Sequence, residues 1–336
     1  MGKDVCFVLL YDRKTNKYTA HILSAAVEAK VDFVKVYLLT FDDLHRNPYE
    51  APSLQSIQSK CKKIVVGITF NTAQLSTVLD LVQKVRQIFR NALLIAGGPH
   101  ATGDPYGTLT KLGFDLVVYG EGEETLIELL SALYNDGDIR ICGTAYIDDE
   151  YLVVKRRAPI DLNRYPPFPF WRNVFNPIEI MRGCSAACYF CQVTYMFGTP
   201  RYRDADNVAY YAKIQFEKGL KDLRFIAPNS FGYGSRDGIK PSHHHVTELL
   251  SRLRALANRY GGRIFFGTFP SEVRPDSVDE ELAKSVRKLV DNKRIIVGAQ
   301  SGSNTILQRI HRRHTVEDVI TAVDILIKCG FEVDVD

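Results

Sequence analysis

The chain has 336 residues, 46% of them hydrophobic, which is more than one core usually organises, so two domains are expected. With 43 Lys and Arg against 39 Asp and Glu, the net charge is only +4 and gives no argument for a polyanionic partner. No run of 18 apolar residues occurs and the start lacks a signal-peptide layout, so a cytoplasmic protein without a membrane segment is expected.

In chain order, β-branched runs at Val5 to Leu10, Val34 to Thr40, Ile64 to Phe70, Leu93 to Ala96 and Leu116 to Tyr119 alternate with helical patterns. Strands separated by helices mean a parallel sheet. Leu75, Val78, Leu79, Val82, Val85 and Phe89 keep a stripe at helical spacing, as do Leu126, Ile127, Leu129, Leu130 and Leu133. These helices should cover the sheet faces. A doubly wound, Rossmann-like sheet binds its ligand at the carboxyl ends of its strands. Glycines fall at such ends: Gly97 and Gly98 after the fourth strand, Gly120 and Gly122 after the fifth. Glycine there lets a bulky ligand approach the backbone, although an ordinary tight turn uses the same residue. This first domain is expected over residues 1–150.

A proline-rich linker is expected over residues 151–177, densest in Tyr165-Pro166-Pro167-Phe168-Pro169-Phe170-Trp171. So many aromatic residues imply a segment that packs rather than a free tether. A second alternating series occupies residues 178–336. Its strands are Ile178 to Met181, Leu223 to Ala227, Ile264 to Gly267, Ile295 to Val297 and Phe331 to Val335. Helices are expected over roughly Asp204 to Lys218, His245 to Tyr260, Val278 to Asp291 and Val316 to Lys328. Repeated βα units of this kind suggest a full or partial (β/α) barrel with its site at the C-terminal mouth of the strands. Because the sequence stops at Asp336, a barrel incomplete at its C-terminal end is expected, with a partner or further segment completing it.

Seven cysteines do not resemble a secreted disulfide framework. Cys6, Cys61, Cys142 and Cys329 lie in or beside apolar patterns and are expected to be free thiols acting as small hydrophobic residues. The other three, Cys184, Cys188 and Cys191, share the segment Arg182-Gly183-Cys184-Ser185-Ala186-Ala187-Cys188-Tyr189-Phe190-Cys191. Following the second domain's first strand, that segment is a loop at the barrel mouth. Three thiolates on it can reach three irons of a cubane and leave the fourth open. Structural zinc normally needs four protein ligands, and no second Cys or His pair follows closely. His243, His244 and His245 open a helix and are read as a solvated helix start. Arg309, His311, Arg312, Arg313 and His314 are read as a solvated loop and helix entrance rather than a nucleic-acid patch, for want of an aromatic platform.

The spacing Cys184-x-x-x-Cys188-x-x-Cys191, with Phe190 before the last cysteine, resembles the signature of radical S-adenosylmethionine (SAM) enzymes. The resemblance implies a [4Fe-4S] cluster on the three cysteines, with SAM on the open iron. Phe190 would lie against the adenine. Gly298-Ala299-Gln300-Ser301-Gly302-Ser303 is similar to the family's SAM-contacting segment, through Gln300 and Ser301. Pro228-Asn229-Ser230-Phe231-Gly232 loosely matches the stretch that binds the methionine amine through backbone groups, around Asn229 and Ser230. The N-terminal half resembles the domain of the cobalamin-dependent branch: Gly67-Ile68-Thr69, Gly97-Gly98-Pro99-His100 and Gly120-Glu121-Gly122-Glu123-Glu124-Thr125 carry the likeness. A cobalamin contact is implied at Thr69, Gly97, Gly98, Gly120 and Glu121.

Membership of that branch implies methyl transfer to an unactivated centre by a SAM-derived radical and methylcobalamin. The alternatives are a cyclase or rearrangement enzyme with the same cofactors, or a non-catalytic iron-sulfur or cobalamin carrier. A small-molecule substrate is favoured over nucleic acid, and an external electron donor is required. Transfer-RNA methylthiotransferases carry three further cysteines in an N-terminal domain, whereas here Cys6, Cys61 and Cys142 are scattered. Classical cobalamin domains place a histidine ligand in D-x-H-x-x-G after the first strand. This chain reads Asp12-Arg13-Lys14-Thr15-Asn16-Lys17, with neither His21 nor His100 at the motif position, so no histidine is expected on the lower face of cobalt.

Overall fold

Strands β1 (Val5–Tyr11), β2 (Val34–Thr40), β3 (Lys63–Thr69), β4 (Leu93–Gly97) and β5 (Leu116–Val118) pair in parallel. Their residues alternate between two buried faces. Along β1, Cys6, Val8 and Leu10 join one core with Leu81 and Val85 of helix α2 (Leu75–Ile88). Val5, Phe7 and Leu9 join the other, with Ala20 and Val27 of α1 (Lys17–Lys30) and Leu126 and Leu129 of α3 (Glu123–Tyr134). Burial on both faces is why these strands read as unbroken apolar runs. The computed structural model describes residues 4–45, 57 and 59–336, in two units that divide at Ile160 and Asp161.

Two further strands, β6 (Thr144–Asp148) and β7 (Tyr151–Lys155), extend the sheet in the order β2-β1-β3-β4-β5-β6-β7 and run antiparallel to their neighbours. The pattern read from the sequence omits them. Their two-residue turn puts Asp149 at φ 43° and Glu150 at φ 73°, a left-handed pair normally announced by Asn-Gly, and Asp-Glu conceals it. Residues 151–155 therefore belong to the first unit's sheet. A second correction concerns Cys6 and Cys61, expected as free thiols. They form a disulfide with Cα atoms 5.7 Å apart, because the parallel pairing of β1 with β3 brings the segment leading into β3 alongside β1. Among the described residues no helix is long and apolar enough to cross a membrane.

In the second unit β8 (Ile178–Glu179), β11 (Asp222–Ile226) and β12 (Arg263–Phe265) pair in parallel in the order β12-β11-β8. β13 (Arg294–Val297) and β14 (Glu332–Val335) pair in parallel with each other. The Ile296 N–H to Gly267 carbonyl bond, 2.9 Å, and a parallel bridge between Val273 and Val297 carry the arc from β12 to β13. After β8 the chain continues into β9 (Met181–Arg182), which takes the antiparallel β10 (Arg201–Tyr202) as partner. Helices α4 (Ala205–Glu217), α5 (His243–Tyr260), α6 (Glu280–Leu289) and α7 (Val316–Lys328) alternate with the strands, as the sequence spacing requires. Their apolar stripes, Val208 and Ala212, Leu249 and Leu253, Leu282 and Val286, and Leu326, close on Ile178, Phe225, Phe266, Ile295 and Val297. From the proline-rich stretch, Phe168 enters this core fully buried.

Phe225→Ala should lower the unfolding free energy of the second unit by about 3–5 kcal/mol, seen as a lower urea midpoint. Tyr210→Ala, at a 56% exposed helix position, should stay within about 0.5 kcal/mol.

Candidate functional site

At the end of β9 the backbone turns on Gly183 at φ +86°, where a Cβ would collide with the Thr199 carbonyl oxygen. Only glycine fits that approach. The Cys184 N–H donates to the Gly198 carbonyl at 3.0 Å. The Thr194 hydroxyl donates to the Cys184 carbonyl at 2.6 Å and accepts from the Ala187 N–H at 3.2 Å. Cys191 N–H closes on the Cys188 carbonyl at 3.0 Å. These bonds shape the loop, and the Cys184, Cys188 and Cys191 side chains pack with Ala186 and Ile239. All three are free thiols, with Cys188 buried and the other two half-buried.

Ionising the Cys184 thiol is opposed locally. Burial pushes the Cys184 thiol up, against the Ala186 N–H on its sulfur at 3.4 Å and the charge of Arg274, while Cys188 and Cys191 push it up further. A cationic group bound to all three sulfurs would reverse that balance, and thiolate is the soft ligand that iron-sulfur clusters take. Among the described residues no three His, Cys, Asp or Glu side chains are arranged to hold a metal ion. A single ion is therefore unsupported, whereas a cubane takes one thiolate on each of three separate irons. The donor set fits the cubane.

The basic segment before α7 departs from the solvated loop expected of it. Arg309 and Arg313 are exposed, but His314 is 3% exposed and His311 and Arg312 are half-buried against the cysteine loop. Tyr189 N–H donates to the Ile310 carbonyl at 3.0 Å, and His311 Nδ1 donates to the Ala187 carbonyl at 3.0 Å. The Tyr189 and His311 rings stack with centroids 5.2 Å apart and 13° between planes. His314 Nε2 donates to the Ala299 carbonyl at 3.0 Å. Backbone acceptors on the cysteine loop and after β13 draw these polar rings inward, and a charge pattern alone does not display such partners.

The other residues singled out for SAM differ in availability. Phe190 is 53% exposed. Gln300 is exposed at φ +70°, its N–H bonded to the Asp336 carbonyl at 2.7 Å, and Ser301 is half-buried beside it. Asn229 and Ser230 are fully buried. Asn229 donates to the carbonyls of Gly238 and Ile239 at 3.0 and 3.2 Å and accepts from the Arg274 N–H and Ser277 hydroxyl at 3.1 and 2.9 Å. Ser230 donates to the Ser271 and Glu272 carbonyls. Both side chains are thus committed within the fold, which leaves only backbone to a ligand. Arg274, 3% exposed beside the cysteines, had no sequence signal beyond following a strand-like Ser-Glu-Val.

In the first unit Thr69 and Gly97 are register partners at the carboxyl ends of β3 and β4. Asn16 Nδ2 donates to the Thr69 carbonyl at 2.8 Å. Gly98, at φ +93°, would place a Cβ 2.8 Å from the Phe70 carbonyl oxygen, so it is required by its own turn. A Cβ on Gly97 would meet nothing within 4 Å. Open space at a strand end is what a large flat ligand needs. Gly120 N–H donates to the Thr102 hydroxyl at 3.2 Å, whereas Glu121 accepts the Ile160 N–H at 2.7 Å and fixes the departing chain. Lys14 is exposed, its N–H held by Asp12 at 2.8 Å; His100 Nδ1 sits 3.0 Å from the Thr72 hydroxyl.

Residues 178–335 match the family model of the Radical SAM superfamily, and residues 15–130 match that of the B12 binding domain. An uncharacterised protein of Methanocaldococcus jannaschii is 24% identical over 316 residues, 81% of this chain and 61% of that protein. Threonylcarbamoyladenosine tRNA methylthiotransferase of Bacillus subtilis is 27% identical over 254 residues, 74% of this chain and 52% of that enzyme. The chain thus spans only part of the length of these relatives. Among solved structures, radical S-adenosylmethionine methyltransferase TsrM from Kitasatospora setae, with cobalamin and a [4Fe-4S] cluster bound, superposes with a TM-score of 0.74 over 100% of this chain and 66% of its own. At 17% identity that likeness is one of fold.

Asn229→Ala should destabilise the second unit by about 3 kcal/mol, measured by urea unfolding, since it strands buried partners on two segments. Gly98→Ala should cost more than about 1 kcal/mol in the first unit, while Gly97→Ala should cost less than about 1 kcal/mol.

Proposed function

Because the chain belongs to the cobalamin-binding radical SAM family, we propose that it is a cobalamin-dependent radical SAM enzyme, and most specifically a methyltransferase acting on an unactivated centre of a small molecule. The observation that carries this reading is the gathering of three free cysteines by one glycine-turned loop at the strand ends. When bound, the cluster and methylcobalamin supply an electron that cleaves SAM to a 5′-deoxyadenosyl radical and a methyl group for transfer.

This chain's residues bind and orient. Cys184, Cys188 and Cys191 would each hold one iron, leaving the fourth for SAM. Phe190 offers an exposed ring face to the adenine, a contact suited to a π surface. Gln300, exposed and within 3.5 Å of Asp336 Oδ1, and Ser301, which accepts the Ser303 N–H, would contact SAM, and the backbone around Asn229 and Ser230 would meet its amino-acid part while their side chains brace the turn. In the first unit, Thr69, Gly97, Gly98, Gly120 and Glu121 would border the cobalamin, with Glu121 also holding the Ile160 N–H. The free loop thiols suit a reducing compartment such as the cytoplasm, the Cys6–Cys61 disulfide notwithstanding, and electrons would come from an external donor.

Transfer-RNA methylthiolation is the competing reading, since a relative carries that name. Against it, the first unit gathers no second triad of thiols among the described residues: Cys6 and Cys61 are bonded to each other and Cys142 stands apart.

Anaerobic reconstitution should load about four iron and four sulfide per chain, and the loaded protein with reductant should convert SAM to 5′-deoxyadenosine. Changing all three loop cysteines to Ala should abolish both. Full iron content in that variant would disprove the ligand assignment. Cobalamin titration should saturate in the wild type and weaken markedly in Gly97→Trp, with iron content unchanged. The Co(II) form should show no electron paramagnetic resonance splitting from a protein nitrogen, and a splitting removed by His21→Ala or His100→Ala would refute the absence of a histidine ligand.

A further inference from the structure

The guanidinium of Arg312 is held where a charge would not ordinarily rest. Its Nη2 donates to the Gly298 carbonyl at 2.6 Å, its Nη1 points at Cys188 Sγ at 3.8 Å, and its Nε is buried without a partner among the described residues. No carboxylate lies within ion-pair distance of it among those residues, and Glu272 feels its charge only at longer range. Arg274 lies on the same cysteines. Burial works against its charge, but Asp276, bonded at 2.9 and 2.8 Å, and the Cys184 and Cys188 sulfurs hold its pKa above the ordinary value. Its Nη1 is likewise buried and unpartnered.

Arg312 cannot easily swing away. The neighbouring His311 and the facing Ala187 are both non-glycine residues in the left-handed region, at φ 57° and 53°. Such conformations persist when surrounding contacts over-determine them, and here the two segments fix each other through the hydrogen bonds and ring stack already described.

We propose that Arg312 is a positioning and tuning residue: its guanidinium donates to the Cys188 sulfur and raises the reduction potential of the cluster, with Arg274 as a second fixed positive charge. The inference rests on the cluster assignment above. Reduction adds one electron to a centre already carrying three thiolates, so a donor and a positive charge at the sulfur favour the reduced form, and hydrogen bonds to cluster sulfurs are an established means of setting such potentials. Arginine suits the position because its rigid fork serves a carbonyl and a sulfur at once.

The test is a redox titration of the reconstituted full chain, monitored by electron paramagnetic resonance, with iron and sulfide measured on each sample. Arg312→Met should shift the midpoint potential to more negative values at full cluster content, Arg312→Lys should fall between, and Arg313→Gln, an exposed neighbour, should match wild type. An unshifted potential in Arg312→Met, or an equal shift in Arg313→Gln, would overturn the proposal. Should Arg312→Met take up no cluster, Gly298→Ala decides. Its new methyl would lie 3.0 Å from Arg312 Nη2 and push the guanidinium a few tenths of an ångström off the Gly298 carbonyl while keeping the charge. A negative shift there supports the proposal, and an unchanged potential overturns it. A wild type that takes up no cluster refutes the cluster assignment, and this inference with it; a loaded wild type with unshifted variants refutes this inference alone.

Discussion

Three cysteines crowd on eight residues of one loop, and burial pushes the first of them, Cys184, towards the protonated thiol. Its neighbours Cys188 and Cys191 push it the same way, and the surrounding structure is arranged around that difficulty. Gly183 makes the sharp entry, Thr194 ties the ends of the loop, and Asn229 anchors the Ile239 segment that packs against the cysteines. The two arginines stand behind the sulfurs without a full set of partners of their own. Each element has a local energetic reason to exist, and together they hold the three cysteines on one loop beside two arginines.

The strand and helix periods were legible because both faces of the first sheet are buried and the second unit repeats one βα plan. Val34–Thr40 and Val316–Lys328 coincide in sequence pattern and structure. The β6–β7 pair was hidden by an Asp-Glu turn, and the Cys6–Cys61 bond by a separation of 55 residues that only strand pairing closes. At the site, the cysteine spacing was enough to find the loop. The inward turn of His311, Arg312 and His314 was not legible, because their acceptors are backbone carbonyls of distant segments. Arg274 was silent for the same reason: its partner Asp276 lies two residues away, but its burial comes from other elements.

Polar residues named for a ligand can instead be structural. Asn229 and Ser230 fall in the segment expected to touch SAM, yet every described bond of their side chains is internal. Gly97 and Gly98 adjoin in sequence and divide the same way, one bordering open space and the other needed by its own turn. A motif thus identifies a neighbourhood, and the hydrogen-bond inventory separates the residues that build it from those that face outward.

The hairpin of β6 and β7 also decides where the first unit can be cut. Without it, the edge of the sheet would be β5, three fully apolar residues with unpaired backbone groups, a template for joining another chain. β7 instead presents an edge with exposed Tyr151 and Lys155 at its ends. A fragment stopping at residue 150, where the sequence pattern suggests a boundary, would lose that cover and leave β6 with a raw edge. One running to Ile160 keeps both the hairpin and the Glu121 anchor, and so would remain dispersed in solution where the shorter piece would self-associate.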